Sequence, residues 1–225
     1  MPSYARRHQL GRSLLYHIFS RSNARLPIFR EPQDFIHFMD LLRSYAAAFR
    51  LRIYHRVIMS NHYHLLLEMA EPEQVSGCMA GLSRAYTHYY HKTYQTCGYL
   101  WQGRFKLQPL EKETYLIACG RYIERNPVRA GIVAVAELYP YSSAAYYCLG
   151  KADTITTESP CYHDFGRDDT ERKEEYKIFL LSFNEEEERL FRDCEYPQGS
   201  DEFKRRLLRT NGRYIPKRRG KPRKD

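Results

Sequence analysis

The chain of 225 residues is 43% hydrophobic, which is enough for one domain with its own core and an appendage. Its net charge of +9 and its isoelectric point of about 9.2 favour a polyanionic partner, of which nucleic acid is the commonest. The N-terminus lacks the apolar segment of a signal peptide, no apolar run approaches the roughly 20 residues of a membrane helix, and the six cysteines form no C-x-x-C pair, so we expect a cytoplasmic protein with reduced thiols and no membrane contact.

The first half of the chain alternates between strand-like and helix-like hydrophobic patterns. The periodicity predicts a strand, a helix, two paired strands, a second helix, a loop leading into a short strand, and a third helix, at residues 13–20, 31–49, 51–59, 63–69, 72–94, 99–110 and 111–125. This order is typical of an α+β, ferredoxin-like (split βαβ) fold, for which we expect an antiparallel sheet with helices on one face.

The composition changes after Leu149 and becomes mostly polar. We therefore predict one domain at residues 1–149, a linker at 150–169, and a helical extension with a basic tail at 170–225.

The extension combines an acidic run with a strongly basic end. A helix is predicted over residues 170–194, with Glu185 to Glu188 on a solvated face. From Asp201 to the C-terminus there are eleven Lys and Arg against three Asp and Glu. This charge predicts a clamp on nucleic acid phosphates that includes Lys217, Arg218 and Arg219, and the alternative is a tail that only aids solubility.

A pair of histidines spaced H-x-H begins the third predicted strand. Side chains alternate along a strand, so His62 and His64 project from the same face. Neighbouring imidazoles on a rigid strand suit a divalent metal ion, although two ligands are too few and a third must come from elsewhere. The alternative is that both are ordinary strand residues at a sheet end.

Tyr122 and Asn126 stand four residues apart on the third predicted helix, so they share one face. If that face lies over the two histidines, Asn126 becomes a third metal ligand and Tyr122 a nucleophile that can attack a phosphodiester polarised by the metal. Spacing alone does not select the nucleophile, and the alternatives are Tyr115, Tyr86, Tyr89 and Tyr90.

Several basic and aromatic residues near these positions are candidates for DNA contact. Arg121 and Arg125 either align a phosphate or simply favour the C-terminal end of their helix. Trp101 and Arg104 lie with Phe105 in a segment that either stacks on a base or supports the core.

Four segments together resemble a known family. SNHYHLLL resembles the P-N-H-x-H-L-L-L signature of the single-tyrosine HUH transposases, and further similar segments follow in the same order: LWQGRFK, RYIERNPVRAGIV and PYSSAAYY. The combination is similar to the REP-associated tyrosine transposases within this IS200-like superfamily, over roughly Ser13 to Leu149.

The resemblance implies an enzyme that cleaves and rejoins single-stranded DNA at hairpin, palindromic elements. It implies Tyr122 as the nucleophile that forms a 5′-phosphotyrosine and leaves a free 3′-OH, with His62, His64 and Asn126 holding one Mg²⁺ or Mn²⁺ ion. It also implies a bacterial, nucleoid-associated protein that acts as a monomer or a homodimer. Two positions depart from the pattern: Ser60 stands where the family has Pro, and Asn126 stands where insertion-sequence relatives have Gln.

Three other functions remain open at this point. A DNA-hairpin-binding protein without catalysis needs neither the histidines nor Tyr122. A metal-dependent nuclease that uses water would not depend on Tyr122. An RNA-binding module is also compatible with the charge, but no specific motif supports it.

Overall fold

A four-stranded antiparallel sheet forms the centre of the protein in the computed structural model, which describes residues 10–11, 14–192 and 197–211. The strands are β1 to β4, at Leu15–Arg21, Leu51–Met59, His62–Met69 and Lys106–Leu110. They lie in the order β2-β3-β1-β4, and each neighbouring pair is antiparallel. This order confirms the α+β, ferredoxin-like prediction.

Eight α-helices are found among the described residues. They are α1 to α8, at Pro32–Ala48, Val75–Tyr94, Lys112–Glu124, Asn126–Arg129, Ala144–Leu149, Asp169–Leu181, Glu185–Arg192 and Asp201–Asn211. The elements predicted up to residue 125 are confirmed to within a few residues at each end. No helix in the described ranges is both long and apolar enough to cross a membrane.

The first face of the sheet packs against α1 and α2. Every second residue of β3 points to this side, and these residues join side chains of both helices in one apolar cluster that includes Tyr63, Leu65, Leu67, Phe38, Leu42, Met79, Leu82 and Tyr86. Burial of each side chain of this kind contributes about 1.5–3 kcal/mol to folding. This face is therefore the main hydrophobic core.

The second face of the sheet packs against α3 and α7. Val57 and Leu66 of the sheet meet Leu116 and Ile123 of α3, and Phe191 of α7 completes the cluster. The sequence predicted helices on one face of the sheet. α1 and α2 cover one face as predicted, but α3 and the extension cover the opposite face as well. The candidate site lies in this second layer.

The extension contains two helices where the sequence predicted one over residues 170–194. The backbone leaves the helical conformation at Ser182, where φ is −68° and ψ is 141°. Asn184 then begins a new helix, because its side-chain oxygen accepts hydrogen bonds from the amides of Glu186 and Glu187 at 3.1 and 3.2 Å. The break turns α7 back over α3.

The segment predicted as a linker, residues 150–169, packs closely against the rest of the molecule. Ile155 and Tyr162 are buried, and the amide of Thr157 donates to the carbonyl of Ile53 at 2.7 Å. The chain thus remains in contact with the sheet as it passes from α5 to α6.

The expectation that all six cysteines are reduced stays a prediction. Cys78, Cys97 and Cys148 carry free thiols. Cys194 lies outside the described residues.

Candidate active site

The two histidines of β3 lie side by side on the second face of the sheet. The rings of His62 and His64 are nearly perpendicular, with centroids 5.3 Å apart. His64 is buried, while His62 at the start of the strand is partly accessible. The predicted shared face is confirmed.

Tyr122 of α3 lies across this pair. Its ring meets that of His64 edge to face, with centroids 5.6 Å apart and an interplanar angle of 88°. Asn126, one turn further along, is buried, and its side chain lies close enough to His62 to influence the pKa of that imidazole. The structure therefore brings together His62, His64, Tyr122 and Asn126, which the sequence placed on two separate elements.

The carboxamide of Asn126 has a defined orientation. Its nitrogen donates to the main-chain carbonyls of Tyr122 and Ile123, at 2.9 and 3.1 Å. Its oxygen accepts from Nη2 of Arg129 at 2.5 Å. Because only the nitrogen can donate to a carbonyl, the oxygen is the atom presented to the imidazoles.

This donor set fits a divalent cation. Two imidazoles and one amide oxygen are neutral ligands, and three protein ligands leave coordination positions for a phosphate. The described residues hold no cluster of three or more His, Cys, Asp or Glu side chains suited to a metal. A metal at this position therefore depends on Asn126 as well as on the histidines.

The imidazoles are held in the neutral form that metal ligands require. Burial, followed by the nearby charges of Arg21 and Arg129, lowers the pKa of His62 to about 4. Burial and the neighbouring positive charges hold the pKa of His64 well below its usual value. Both rings therefore carry a lone pair at neutral pH.

Two buried residues behind the histidines were missed by the sequence reasoning. His17 of β1 lies 2.8 Å from His64, measured from Nε2 to Nδ1, and its own Nδ1 lies 3.3 Å from Oε1 of Gln108. Burial lowers the pKa of His17 to about 4. A polar residue within the apolar segment SLLYHIFS was the available signal.

Arg129 is a third residue that the sequence reasoning did not single out. Its guanidinium lies over the ring of Tyr122, 4.7 Å from the centroid, and it contacts Asn126 as described. Its other partner is Glu188 of α7, at 3.0 Å. Arg129 thus joins the tyrosine, the amide and the extension.

The other two arginines of this region also contact the extension. Arg121 donates to Ser182 and to Glu187, and Arg125 donates to the carbonyl of Leu180. A small pocket between α3 and α7 includes both arginines and Tyr122 in its lining. Contact of Arg121 and Arg125 with DNA stays a prediction.

The acidic run of α7 is only in part the solvated face that the sequence predicted, because Glu185 and Glu186 are exposed whereas Glu187 and Glu188 turn inward. Glu188 is buried, and Phe191 places its ring 5.7 Å from that of Tyr122. The side chain of Tyr122 is consequently only 3% exposed. The prediction failed for Glu187 and Glu188 because it considered the run alone, whereas these two side chains pair with Arg121 of α3 and Arg129 of α4.

Glu124 fixes the end of α3 between three neighbouring elements. Its carboxylate is fully buried and accepts from the hydroxyls of Ser143, at 2.5 Å, and Tyr176, at 2.8 Å. It also lies 2.9 Å from Nδ1 of His55 on β2. These contacts hold the helix that carries Tyr122 in a defined position.

Trp101 and Arg104 are the remaining predicted DNA contacts that lie among the described residues. The indole nitrogen of Trp101 donates to Ser83 and Thr87 of α2, at 3.2 and 3.1 Å, so the ring supports the first face of the sheet. Arg104 is exposed. The predicted contacts at Lys217, Arg218 and Arg219 lie outside the described residues.

Comparison with known proteins identifies the fold and the family of this chain. A solved structure of a REP-associated tyrosine transposase bound to a REP hairpin is similar, with a TM-score of 0.57 and 17% identity over 71% of this chain and 96% of that one. A structure from Deinococcus radiodurans described as a transposase has a TM-score of 0.37 and 21% identity, over 47% of this chain and 88% of that one. No curated protein matches the chain significantly. A family model described as "Transposase IS200 like" matches residues 12–126, just over half of the sequence, and the chain therefore belongs to this family of DNA-cleaving transposases.

Proposed function

We propose that this transposase cleaves and rejoins single-stranded DNA at hairpin, REP-like palindromic elements through a covalent 5′-phosphotyrosine at Tyr122. One Mg²⁺ or Mn²⁺ ion is held by His62, His64 and Asn126. The observation that carries the proposal is the placement of Tyr122 edge to face on His64, one helical turn from Asn126.

The positions of the other candidate tyrosines favour this assignment. Tyr86 donates to the carbonyl of Ile28 at 2.7 Å, and Tyr89 donates to Asp34 at 2.9 Å, both in the layer on the first face of the sheet. Tyr115 shares the helix of Tyr122, but its ring packs against Phe191. Tyr122 is the one of these four that contacts a histidine of the H-x-H pair.

In the proposed reaction the phenol oxygen of Tyr122 attacks the phosphorus of a phosphodiester. The new bond joins Tyr122 to the 5′-phosphate, the bond from phosphorus to the 3′ oxygen breaks, and the phenol proton is lost while the 3′ oxygen gains one. Attack by a 3′-OH reverses these steps and rejoins the strand. A bound divalent ion supplies Lewis-acid stabilisation of the charge that develops on the phosphate.

Residues of the chain itself orient the reacting groups. The guanidinium over Tyr122 fixes the ring and adds positive charge next to the phosphate position. The hydrogen bonds from Asn126 to its own helix hold the amide oxygen toward His62. Because Phe191 covers Tyr122, α7 must move away before a phosphodiester can reach the phenol oxygen.

The similar solved structure supports a hairpin substrate, since that protein is bound to a REP hairpin. The basic C-terminal tail suits the phosphates of such a hairpin, and Lys217, Arg218 and Arg219 are the proposed contacts. Trp101, Arg104, Arg121 and Arg125 are proposed as further contacts. The protein is proposed to act as a monomer or a homodimer, which size-exclusion chromatography with light scattering would distinguish.

The direct test is formation of a covalent protein–DNA adduct. Single-stranded oligonucleotides from palindromic repeats flanking the gene would be incubated with the protein and Mg²⁺ or Mn²⁺, and the products separated on a denaturing gel. We expect an adduct with the wild type and none with Tyr122→Phe. Tyr115→Phe is the matched control on the same helix and should retain the adduct.

Other results of the adduct assay would contradict the proposal in different ways. Cleavage that leaves no adduct and persists in Tyr122→Phe would identify a nuclease that uses water. Hairpin binding without cleavage across the set of repeats would identify a binding protein. An adduct lost in Tyr115→Phe alone would move the nucleophile to that residue.

A further inference from the structure

We propose that His17 and Gln108 are positioning residues that fix the tautomer of His64, so that the Nε2 lone pair of His64 faces the site shared with His62 and Asn126. This inference rests on the proposed function, because it concerns how a metal ligand is oriented. The extension contributes to this arrangement, because the main-chain carbonyl of Leu190 accepts a hydrogen bond from Gln108.

Three polar side chains form a continuous buried line across the sheet. His17 of β1 and Gln108 of β4 are direct cross-strand partners, and both are buried, with 0% and 1% of their surface exposed. The line runs from Gln108 through His17 to His64, with the distances of 3.3 and 2.8 Å given above.

The orientation of the Gln108 amide is fixed from outside the sheet. Its nitrogen donates to the carbonyl of Leu190 at 3.0 Å. That carbonyl lies in the last turn of α7, where carbonyl groups have no partner within the helix. Since a carbonyl can only accept, the amide nitrogen of Gln108 must face Leu190 and the amide oxygen must face His17.

The direction of each hydrogen bond then follows from the one before it. The oxygen of Gln108 only accepts, so Nδ1 of His17 carries the proton and donates it. In a neutral imidazole the other nitrogen is then an acceptor, so Nε2 of His17 accepts from Nδ1–H of His64. The remaining nitrogen of His64, Nε2, therefore keeps its lone pair for a metal.

The imidazole of His62 is oriented in the same way, but by a single neighbouring amide, that of Asn61. Nδ1 of His62 lies 2.6 Å from Oδ1 of Asn61, and the amide nitrogen of Asn61 donates to the carbonyl of Arg25 at 2.9 Å. The anchored amide again presents its oxygen, so His62 donates from Nδ1 and keeps its lone pair on Nε2. Two independent amides anchored by carbonyls thus give both histidines the same tautomer.

The tautomer can be read directly by ¹⁵N NMR on protein labelled at histidine, without DNA or metal. We expect the wild type to show His64 protonated on Nδ1, with the signal assigned by its loss in His64→Gln. In His17→Phe, which retains a ring but removes the acceptor, the Nε2–H form should appear. Gln108→Met should produce a smaller change in the same direction, because His17 then lacks the partner that decides its own tautomer.

Metal affinity is the second readout, measured by Mn²⁺ titration with EPR detection of the free ion. Loss of a residue that orients a ligand typically weakens metal binding about 10- to 100-fold, which is the change expected for His17→Phe. Tyr54→Phe is the matched control: it removes a buried hydrogen bond of 2.8 Å to Glu68 in the same sheet, away from His64, and should bind Mn²⁺ as the wild type does.

The results separate this inference from the proposed function. Unchanged His64 tautomer and unchanged Mn²⁺ affinity in His17→Phe would overturn the inference while leaving the tyrosine chemistry intact. Equal weakening in Tyr54→Phe would also overturn it, because the effect would then reflect general loss of stability. A wild type that binds no Mn²⁺ would contradict the metal site of the proposed function, and the NMR measurement would still decide the tautomer.

Discussion

The two faces of the sheet are built from the same strands but carry different chemistry. Along β3, Leu65 faces the apolar layer under α1 and α2, and its neighbour His64 faces the layer under α3 and α7. The first layer is held by aliphatic and aromatic packing. The second buries imidazoles, an amide, a carboxylate and ion-paired arginines.

This difference shows that the energetically costly buried polar groups around the site lie in the second layer. A buried polar group is costly unless it is paired, and the second layer pairs most of its groups with partners from β1, β4, α4 and the extension. Nε2 of His55 and Nε of Arg125 are exceptions, since they are buried without a hydrogen-bond partner among the described residues. The first layer provides the stability that allows such a site to exist. Substitutions on the two faces should consequently separate function from folding.

The largest expected effect on function comes from His64→Ala. Removal of one of the two proposed histidine ligands should reduce adduct formation by roughly a hundredfold to a thousandfold, a loss comparable to that of a main electrostatic contact in other enzymes. Hairpin binding, measured by fluorescence anisotropy, should stay close to that of the wild type, because the proposed ion would act only at the scissile phosphate. Equal loss of binding and cleavage would contradict this division.

The next effect should be on stability, from Leu65→Ala on the opposite face of the same strand. Leu65 is fully buried, and loss of such a side chain costs about 2–5 kcal/mol of the free energy of unfolding. Urea unfolding would measure it. Mn²⁺ affinity at temperatures where the variant is folded should not change, and a parallel loss of affinity would show that the two faces are coupled.

Acid should lower the free energy of unfolding through the two faces of the sheet in two different pH ranges. His17 and His62 have pKa values of about 4 in the folded protein and about 6.5 when unfolded, so the unfolded state binds more protons between these values. The contribution of the two histidines to the free energy of unfolding is then fully present above pH 6.5. It falls as the pH drops toward 4, by about 1.4 kcal/mol per pH unit for each extra proton that the unfolded state binds. Urea unfolding across this range provides the test, and a flat profile would count against buried neutral histidines.

The first face should respond only at lower pH, through Asp34 at the start of α1. Burial alone would raise the pKa of Asp34, but hydrogen bonds from Tyr94, from backbone amides and from Tyr89 outweigh it and lower the pKa below 3.8. Its contribution is present above pH 3.8 and is lost as the pH falls through the lowered value. Asp34→Asn should remove this lower window and leave the histidine window in place.

Much of the first face could be predicted from sequence, because its signals are local. The period of α1 and the alternation of β2 and β3 each lie within one element, and the H-x-H spacing fixed the shared face of His62 and His64 in the same way. The predicted shared face of Tyr122 and Asn126 is also observed, although the two residues lie in successive helices, α3 and α4.

The second face could not be predicted as fully, because its partners come from distant parts of the chain. His17 and Gln108 are 91 residues apart, and their pairing follows from strand order, not from any local pattern. Glu187 and Glu188 of α7 face the arginines of α3 and α4 only because the chain breaks at Ser182 and turns back. Periodicity describes each segment separately and cannot supply such contacts.

The smallest expected effect concerns how firmly α7 covers the second face. Glu187 pairs with Arg121, and Glu188 pairs with Arg129. Each pair retains some exposure, so each contributes no more than about 1 kcal/mol. Loss of both pairs in the double variant Glu187→Gln/Glu188→Gln should therefore speed adduct formation by about thirtyfold at most. The initial rate at saturating hairpin would be measured together with hydrogen exchange of the α7 amides.

The same helix provides the control for this prediction. Glu185 pairs with Arg189 within α7 itself, so Glu185→Gln removes one negative charge without loosening the contact between α7 and α3. Its adduct rate and its amide exchange should match those of the wild type. If Glu185→Gln accelerates the reaction as much as the double variant does, general charge acts on DNA approach and the ion pairs do not restrain α7. If exchange in α7 rises in the double variant without any gain in rate, uncovering Tyr122 is not what limits the reaction, and the second face is open to DNA even with these pairs formed.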